Sequence, residues 1–280
     1  MKLSIITINL NNVIGLRKTI ESVINQTSDS YEHIIIDGGS TDGSVKVIEN
    51  FLQDKNYAKH VSYWCSEKDK GIYDAMNNGI DKASGDYCFF LNSGDTFCDT
   101  NVVKRVNEYC FDEDIVYFNI LKVCNGQSTL HKYSSSIINE KFFYQNNICH
   151  QSVLIKTELQ KRKKYSTNYK LVSDYAFLID VLLIEKCTYR YIDDVLCNYD
   201  AEFGVSSREI DLMQNERFMV LRDYLIYKIK NNNGITYLYY DYEYAYGGLV
   251  NKFRKILNFI SRITFRRNSK VYNQLELQLK

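Results

Sequence analysis

Within the first 91 residues, short apolar runs alternate with segments of helical periodicity, and this alternation restricts the fold more than any other feature. Leu3 to Ile8, "LSIITI", reads as a buried strand. In "GLRKTIESVINQ" the apolar residues Leu16, Ile20, Val23 and Ile24 fall on one helical face. "YEHIIID" is a second strand ending at Asp37, and "GGSTDGS" turns the chain into a helix carrying Val45, Val47, Ile48 and Phe51, with Asp42 as its cap. "HVSYWCSE" is a third strand. "GIYDAMNNGIDKA" places Ile72, Ala75, Met76, Ile80 and Ala83 on one stripe, and "DYCFFL" is a fourth strand. The order βαβαβαβ predicts a parallel sheet with helices on its faces and right-handed crossovers.

Beyond Asp95 the pattern changes. A helix near Val102 to Tyr109 precedes "DIVYFNILKV" and "QSTLHKY", two strands paired around Asn125-Gly126, a hairpin dipeptide. "QSVLIK" is a further strand, "DYAFLIDVLLIEK" a helix apolar nearly all round, and "TYRYIDD" the last strand. From about Ser207 the chain reads as helical. The predicted organisation is therefore an α/β domain over 1–206 and a helical C-terminal extension over 207–280.

The chain of 280 residues is 45% apolar and 25% charged, which suits a folded core. Its net charge of +1 argues against nucleic acid as a partner. The eight cysteines contain no C-x-x-C pair, so structural zinc has little support, and reduced, buried thiols are expected. The loop after the first strand, "NLNNVIG", lacks G-x-G-x-x-G, which speaks against a nicotinamide or flavin cofactor.

Three carboxylates sit where ligands bind in open α/β sheets, at the ends of strands or at a helix start. Asp37 closes the second strand; it serves either an ordinary turn or hydrogen bonds to a base or ribose. Asp95 follows the fourth strand in "NSGD". Mg²⁺ or Mn²⁺ takes hard oxygen ligands, often one or two carboxylates plus substrate phosphates, and Asp95 suits that role. Asp174 opens the helix in "SDYAFL"; it either complements the helix dipole or acts as a general base in a pocket wall.

Taken together, "ITINLNN", "IIIDGGSTDGS", "SEKDKGIYDAMNNGIDKASGDYCFFLNSGD", "HQSVLI" and "SDYAFL" resemble the family 2 glycosyltransferases, and among them the branch that builds bacterial surface polysaccharides. The likeness runs in order from Met1 to about Ser207. It implies a GT-A-like (Rossmann-like), mostly parallel sheet flanked by helices, and an inverting transferase with a nucleotide-sugar donor, UDP-linked by preference, and a divalent metal, Mn²⁺ or Mg²⁺. Residue by residue, it implies that Asp37 contacts the nucleotide base and that Asp69 lines the donor pocket with Asn77 and Gly79 nearby. Asp95 becomes the metal ligand, Asp174 the catalytic base, and His150 and Gln151 a pair beside the acceptor or diphosphate. Asn92 stands where many relatives carry the first aspartate of a D-x-D element, which puts strict metal dependence in doubt. "EFGVSS" resembles a glycine-serine loop that closes over substrate.

The tail "GGLVNKFRKILNFISRITFRRNSK" has seven basic residues and no acidic one, with apolar residues at helical spacing. A basic amphipathic helix over 249–270 reads as a membrane-surface element, or as a face for a homodimer partner. The expected setting is cytoplasmic, peripheral on the inner face of a membrane, with a lipid-linked or oligosaccharide acceptor. Two alternatives accompany this reading: a non-catalytic nucleotide-sugar-binding module of the same fold, and a glycoside hydrolase using Asp95 and Asp174 as its carboxylate pair.

Overall fold

A computed structural model of the chain describes residues 1–133, 138–202 and 209–232. Met1–Tyr227 form one compact unit. The expected boundary near Ser207, the "EFGVSS" loop after Glu202 and the basic tail over 249–270 lie outside the described residues.

The N-terminal half is the alternation read from sequence. Strand β1 (Leu3–Asn9) leads to α1 (Val13–Ile24), β2 (Tyr31–Asp37), α2 (Ser44–Phe51), a short α3 (Lys55–Ala58), β3 (Val61–Ser66), α4 (Ile72–Lys82) and β4 (Tyr87–Phe90). These strands are parallel and lie in the order β3-β2-β1-β4. The chain steps outward from β1 to β3 and then returns to place β4 on the other side of β1. That reversal leaves a crevice at the carboxyl ends of β1 and β4, the place where open α/β sheets bind ligands. Because both faces are covered, β1, β2 and β4 are buried nearly throughout. Leu16, Ile20 and Val23 of α1 enter the core as their spacing requires.

The N-cap of α2 is Gly43 and not the expected Asp42, which stands one residue earlier. Its carboxylate accepts from the backbone and hydroxyl of Ser44, and also from the Val13 N–H at the start of α1 (2.7 Å). One turn residue thus fixes two helix starts.

The C-terminal half mixes parallel and antiparallel pairs. After β5 (Thr96–Phe97) and α5 (Val102–Glu108), β6 (Ile115–Cys124) and β7 (Gln127–His131) form the Asn125-Gly126 hairpin. Then follow α6 (Glu140–Gln145), a 3₁₀ turn at His150–Ser152, β8 (Val153–Lys156), α7 (Thr157–Lys163), α8 (Ser173–Ile179), which continues into a π turn at Asp180–Ile184, β9 (Tyr189–Asp200) and α9 (Ile210–Asn232). Strand β8 inserts antiparallel between β4 and β6, so the sheet runs β3-β2-β1-β4-β8-β6-β9-β5. The fold is therefore a mixed sheet; the mostly parallel expectation holds for its N-terminal half. The inversion has a consequence: an antiparallel strand begins at the edge where its parallel neighbour ends, which brings His150 and Gln151 to the carboxyl end of β4. Strand β9 also runs six residues past the expected end at Asp194, to Asp200.

All eight cysteines are free thiols, as expected. Cys88 and Cys197 are buried, but Cys110 and Cys124 are exposed, so the buried reading does not hold for every one.

Candidate active site

The site is built where β1, β2 and β3 end in register. Asn9 pairs with Asp37, and Asp37 with Ser66. The Asp37 carboxylate is fully buried, at 0% exposure. One oxygen accepts from Asn9 Nδ2 (2.7 Å) and Ser40 Oγ (2.6 Å), the other from the Ser40 N–H (2.9 Å) and Ser66 Oγ (2.6 Å). Burial alone would raise its pKa, but the hydrogen bonds from Ser40, Ser66 and Asn9 outweigh it and hold the group below the ordinary carboxylate range. A carboxylate offers about four acceptor sites. All are used inside the protein, where Asp37 organises the "GGS" turn. Asp69 is a second acid at this end of the cleft. It is partly exposed, accepts from the Gly71 N–H (2.9 Å), and lies so close to Gly38 that a methyl group there would collide with its carboxylate.

Two expected donor-pocket residues do not join the cleft. Both ends of the Asn77 amide bond the backbone of Tyr165, Nδ2 to its carbonyl (2.8 Å) and Oδ1 to its N–H (2.9 Å). Gly79 is buried in α4 and lets the helix approach β1: any Cβ there would strike Ile6. Their places in the sequence motif are explained by packing.

The "NSGD" loop crosses the mouth of the crevice. Asn12 caps α1 through the Gly15 N–H (3.1 Å) and reaches Ser93 O with Nδ2 (3.0 Å). Thr19 Oγ1 donates to Asp95 O (2.7 Å) and accepts from the Gly94 N–H (3.0 Å), so α1 holds the loop from beneath. Gly94 has φ 108°, a left-handed conformation that favours glycine. Asp200 at the end of β9 faces it, 3.3 Å from where a Cβ would stand.

Asp95 itself is 3% exposed. Oδ1 accepts from the Asp200 N–H (2.9 Å) and Oδ2 from Gln151 Nε2 (3.2 Å). Burial pushes its pKa up to about 7, against the lowering influence of the Asp200 N–H, His150 and Gln151; the Asp200 charge adds to the rise. Gln151 is buried and also accepts from Cys149 Sγ (2.8 Å), so both ends of its amide are engaged beneath Asp95. Among the described residues no group of three or more His, Cys, Asp or Glu is arranged around one point for a metal. The pair Asp95 and Asp200 nevertheless fits a divalent cation of the Mg²⁺ or Mn²⁺ kind. Hard cations take one or two carboxylates and leave their other positions to water and phosphate oxygens. A positive charge would also relieve the burial that holds the Asp95 proton. Asp200 was not legible in the sequence, because the last strand was read as ending six residues early.

On the other side of β4 stands Asp174, 7% exposed, at the start of α8. Oδ1 accepts from Tyr73 Oη of α4 (2.9 Å), and Oδ2 pairs with His150 Nδ1 (3.0 Å). Burial opposes the charge, yet His150, Tyr73 and the Tyr175 N–H overcome it and keep the carboxyl below its ordinary pKa. The other ring nitrogen of His150 meets Asn92 Nδ2 (2.9 Å), and the edge of the ring meets Phe90. The segment leading into α8 is held from α9, where Glu216 accepts from the N–H groups of Lys170 (2.8 Å) and Leu171 (2.9 Å). Asp95, Asn92, His150, Gln151 and Asp174 are thus joined by hydrogen bonds on one side of the crevice. Asp37 and Asp69 stand on the other.

This sheet, with its reversal between β1 and β4 and its acid-bearing loop after β4, is the GT-A architecture. The sequence profile of Glycosyl transferase family 2 matches residues 4–177, and the chain belongs to that family. It is 26% identical over 212 residues to a PGL/p-HBAD biosynthesis glycosyltransferase of Mycobacterium bovis, covering 74% of this chain and 80% of that one. It is 32% identical over 213 residues to an uncharacterized glycosyltransferase of Mycobacterium tuberculosis, covering 74% and 78%. Among solved structures, S. aureus TarS 1-349 in complex with UDP-GlcNAc superposes with a TM-score of 0.65 at 16% identity, over 81% of this chain and 66% of that one. The chain therefore spans just under two thirds of that TarS chain. The mannosyltransferase PcManGT from Pyrobaculum calidifontis, in complex with GDP-Man and Mn²⁺, gives 0.59 at 14% identity, over 82% and 65%. These two structures share the fold. Membership of a transferase family removes the hydrolase alternative.

Proposed function

We propose that this glycosyltransferase moves a sugar from a nucleotide-diphosphate donor to a hydroxyl of a lipid-linked or oligosaccharide acceptor, with inversion at the anomeric carbon. The observation that carries this reading is Asp174: a buried carboxylate kept ionised by His150 and Tyr73, and linked through His150 and Asn92 to the loop that bears Asp95. An ionised, oriented carboxylate is what a general base requires.

The chemistry is a single displacement. The acceptor oxygen forms a bond to the anomeric carbon as the bond to the diphosphate oxygen breaks. The hydroxyl proton passes to Asp174, and the nucleotide diphosphate leaves. Tyr73 and His150 take one lone pair on each Asp174 oxygen and leave others for the acceptor. Asp69 is the acid available to the nucleoside at the far side of the cleft, and Asp37 shapes the turn beside it. Asp95 and Asp200 would hold a divalent cation, which supplies charge neutralisation for the departing diphosphate. UDP-sugars are the first donors to try, since the fold relative TarS has been solved with UDP-GlcNAc.

No described helix is long and apolar enough to cross a membrane. The basic stretch 249–270 is the candidate for seating the enzyme on an anionic inner leaflet, where a lipid-linked acceptor would be met, or for pairing two copies. The function is tested by incubating the full chain with labelled UDP-, GDP-, dTDP- and CDP-sugars, Mn²⁺ and lipid-linked acceptors. The product should carry the anomeric configuration opposite to the donor's. Retention of configuration, or release of free sugar alone, would defeat the reading.

A further inference from the structure

The register of the C-terminal strands lines up one row of side chains across the carboxyl edge of the sheet. Lys122 of β6 pairs with Thr129 of β7 on one side and with Tyr199 of β9 on the other. Residues paired in register point to the same face. On β5, Thr96 pairs with Asn198, so Asp95, one residue before Thr96, comes opposite Tyr199. The row therefore runs Thr129, Lys122, Tyr199, Asp95. At ~4.8 Å per strand, the backbone of Lys122 stands roughly 10 Å from that of Asp95. The face is the one that looks at the site. Cys197, two residues before Tyr199, donates to Gln151 O (2.9 Å), and the Asp200 N–H after it bonds Asp95 Oδ1 (2.9 Å).

Among the described residues, the two polar groups in the middle of this row have no partner: the hydroxyl of half-buried Tyr199 and the ammonium of exposed Lys122. Lys132, just past β7, is by contrast paired with Asp193. The electrostatics agree with the register. Burial raises the pKa of the Tyr199 phenol, and Cys149, Asp95, Asp174 and Asp200 add to the rise, so the hydroxyl lies within reach of both acidic corners of the site. Burial raises Cys149 as well, with Asp174 and Asp95, and Lys122 counters that rise. Burial and the Lys122 charge together lower His131, the diagonal neighbour of Lys122 on β7. The ammonium is thus felt on the side of the sheet that bears the site.

We propose that Tyr199 and Lys122 form the acceptor subsite and that the acceptor is a glycosyl phosphate, its sugar lying on the Tyr199 ring and its phosphate held by the Lys122 ammonium. The inference rests on the reading of the chain as an inverting transferase with Asp174 as base. Tyr199 and Lys122 stand one strand spacing apart. A sugar on the ring therefore carries its phosphate to the ammonium and its far hydroxyls to the acids. An aromatic face with a polar tip suits a sugar's C–H face and hydroxyls. A flexible ammonium with three donors suits a phosphate. A neutral oligosaccharide would leave Lys122 unused.

The test offers the full chain matched acceptors with UDP-sugars and Mn²⁺: hexose and N-acetylhexosamine 1-phosphates, the same sugars on a prenyl diphosphate, and their neutral octyl glycosides. Binding is read apart from turnover, by calorimetric titration of each probe into protein saturated with UDP and Mn²⁺. The phosphorylated members should be favoured roughly 10–100-fold in kcat/KM and in Kd, the worth of a charge-assisted hydrogen bond. Lys122→Gln should erase that preference and leave donor KM and UDP binding as in wild type, while Lys122→Arg should retain it. Tyr199→Ala should weaken phosphorylated and neutral acceptors alike. Binding of the soluble 1-phosphates places the phosphate on the acceptor itself; binding confined to the prenyl-linked members upholds the subsite with a lipid source. Binding of phosphatidylglycerol vesicles alone, lost in Lys122→Gln, would make Lys122 a membrane contact and overturn the proposal. So would equal affinity for neutral and phosphorylated acceptors, no binding of any phosphorylated probe, or loss of UDP binding in Lys122→Gln, which would assign the ammonium to the donor's diphosphate. A phosphorylated probe that binds through Lys122 with no transfer by wild type would uphold the subsite and defeat only the reaction reading.

Discussion

Replacing Asp174 by asparagine separates catalysis from folding at this site. The exchange is isosteric and removes one charge. Tyr73 Oη can still donate to the remaining carbonyl oxygen across its 2.9 Å contact. The new NH₂ faces His150 Nδ1, which would be a clash of donors if the ring stayed as it is. The ring escapes by moving its hydrogen to Nε2, and the Asn92 amide escapes by turning Oδ1, otherwise without a partner, toward it. Every bond is remade, so the expected loss of stability is about 1 kcal/mol or less, the net worth of one hydrogen bond. The acceptor proton, however, loses its receiver. General-base assistance is worth roughly 10²–10⁴-fold, or about 2.7–5.5 kcal/mol of barrier at 1.36 kcal/mol per decade. The assay is initial-rate transfer from whichever donor the screen of nucleotide sugars selects, with thermal melting and donor titration on the same preparation. The expected result is kcat down by at least ~10²-fold, with melting temperature and donor affinity nearly unchanged. Turnover within about twofold of wild type would remove Asp174 from the mechanism; loss of donor binding in step with kcat would make it a binding residue.

Further outcomes follow from the same structure. Asp95 is held protonated by burial, its pKa raised to about 7 from an unfolded value near 3.8, so folding loses free energy as pH rises from 3.8 through 7. Asp95→Asn should therefore raise the melting temperature at pH 8 while abolishing Mn²⁺-dependent nucleotide binding; a lower melting temperature there would contradict the burial argument. Glu32 pins the loop before β4, accepting from Lys2 Nζ, Ser4 Oγ, the N–H and hydroxyl of Ser84 and the Gly85 N–H. Despite its burial these bonds bring its pKa down to about 2, so its stabilisation is complete above about 4.5 and is lost as pH falls through 2. Glu32→Gln should cost about 2 kcal/mol in urea unfolding at pH 7, since it breaks charge-assisted bonds in a buried site. His33 stays neutral in the fold, burial depressing its pKa to about 3 from 6.5. Above 6.5 it has no effect, and below it the unfolded chain gains the proton first. Stability should thus fall by up to ~1.4 kcal/mol per pH unit between 6.5 and 3, and His33→Gln should flatten that slope.

Much of this was legible in the chain. Apolar runs and helical stripes placed β1, β2, β4, α1 and α4, because each buries its residues by simple periodicity. Parallel strands share one direction, so the ends of β2 and β4, and with them Asp37 and Asp95, had to fall at one edge. Partnership was not legible. The sealing of Asp37 depends on Ser66, 29 residues away, and the occupation of Asn77 on the Tyr165 backbone, 88 away. Both arise from tertiary packing that no local pattern encodes. Asp200 escaped notice because β9 continues through "VLCNYD" by pairing with β6 and β5, beyond the stretch its own alternation marks.

The central claim, that the crevice takes a nucleotide diphosphate with a cation at Asp95, is tested most directly by thermal stabilisation. Wild type and Asp95→Ala are melted with UDP, GDP, dTDP and CDP, each with and without Mn²⁺. A ligand that binds only the native state raises the melting temperature by mass action, by about 2.7 kcal/mol of stability at a hundredfold excess over Kd. The account predicts a shift selective for one nucleotide, strengthened by Mn²⁺ in wild type and not in the variant. A melting temperature unmoved by all four nucleotides, or an Mn²⁺ effect that survives in Asp95→Ala, would contradict it.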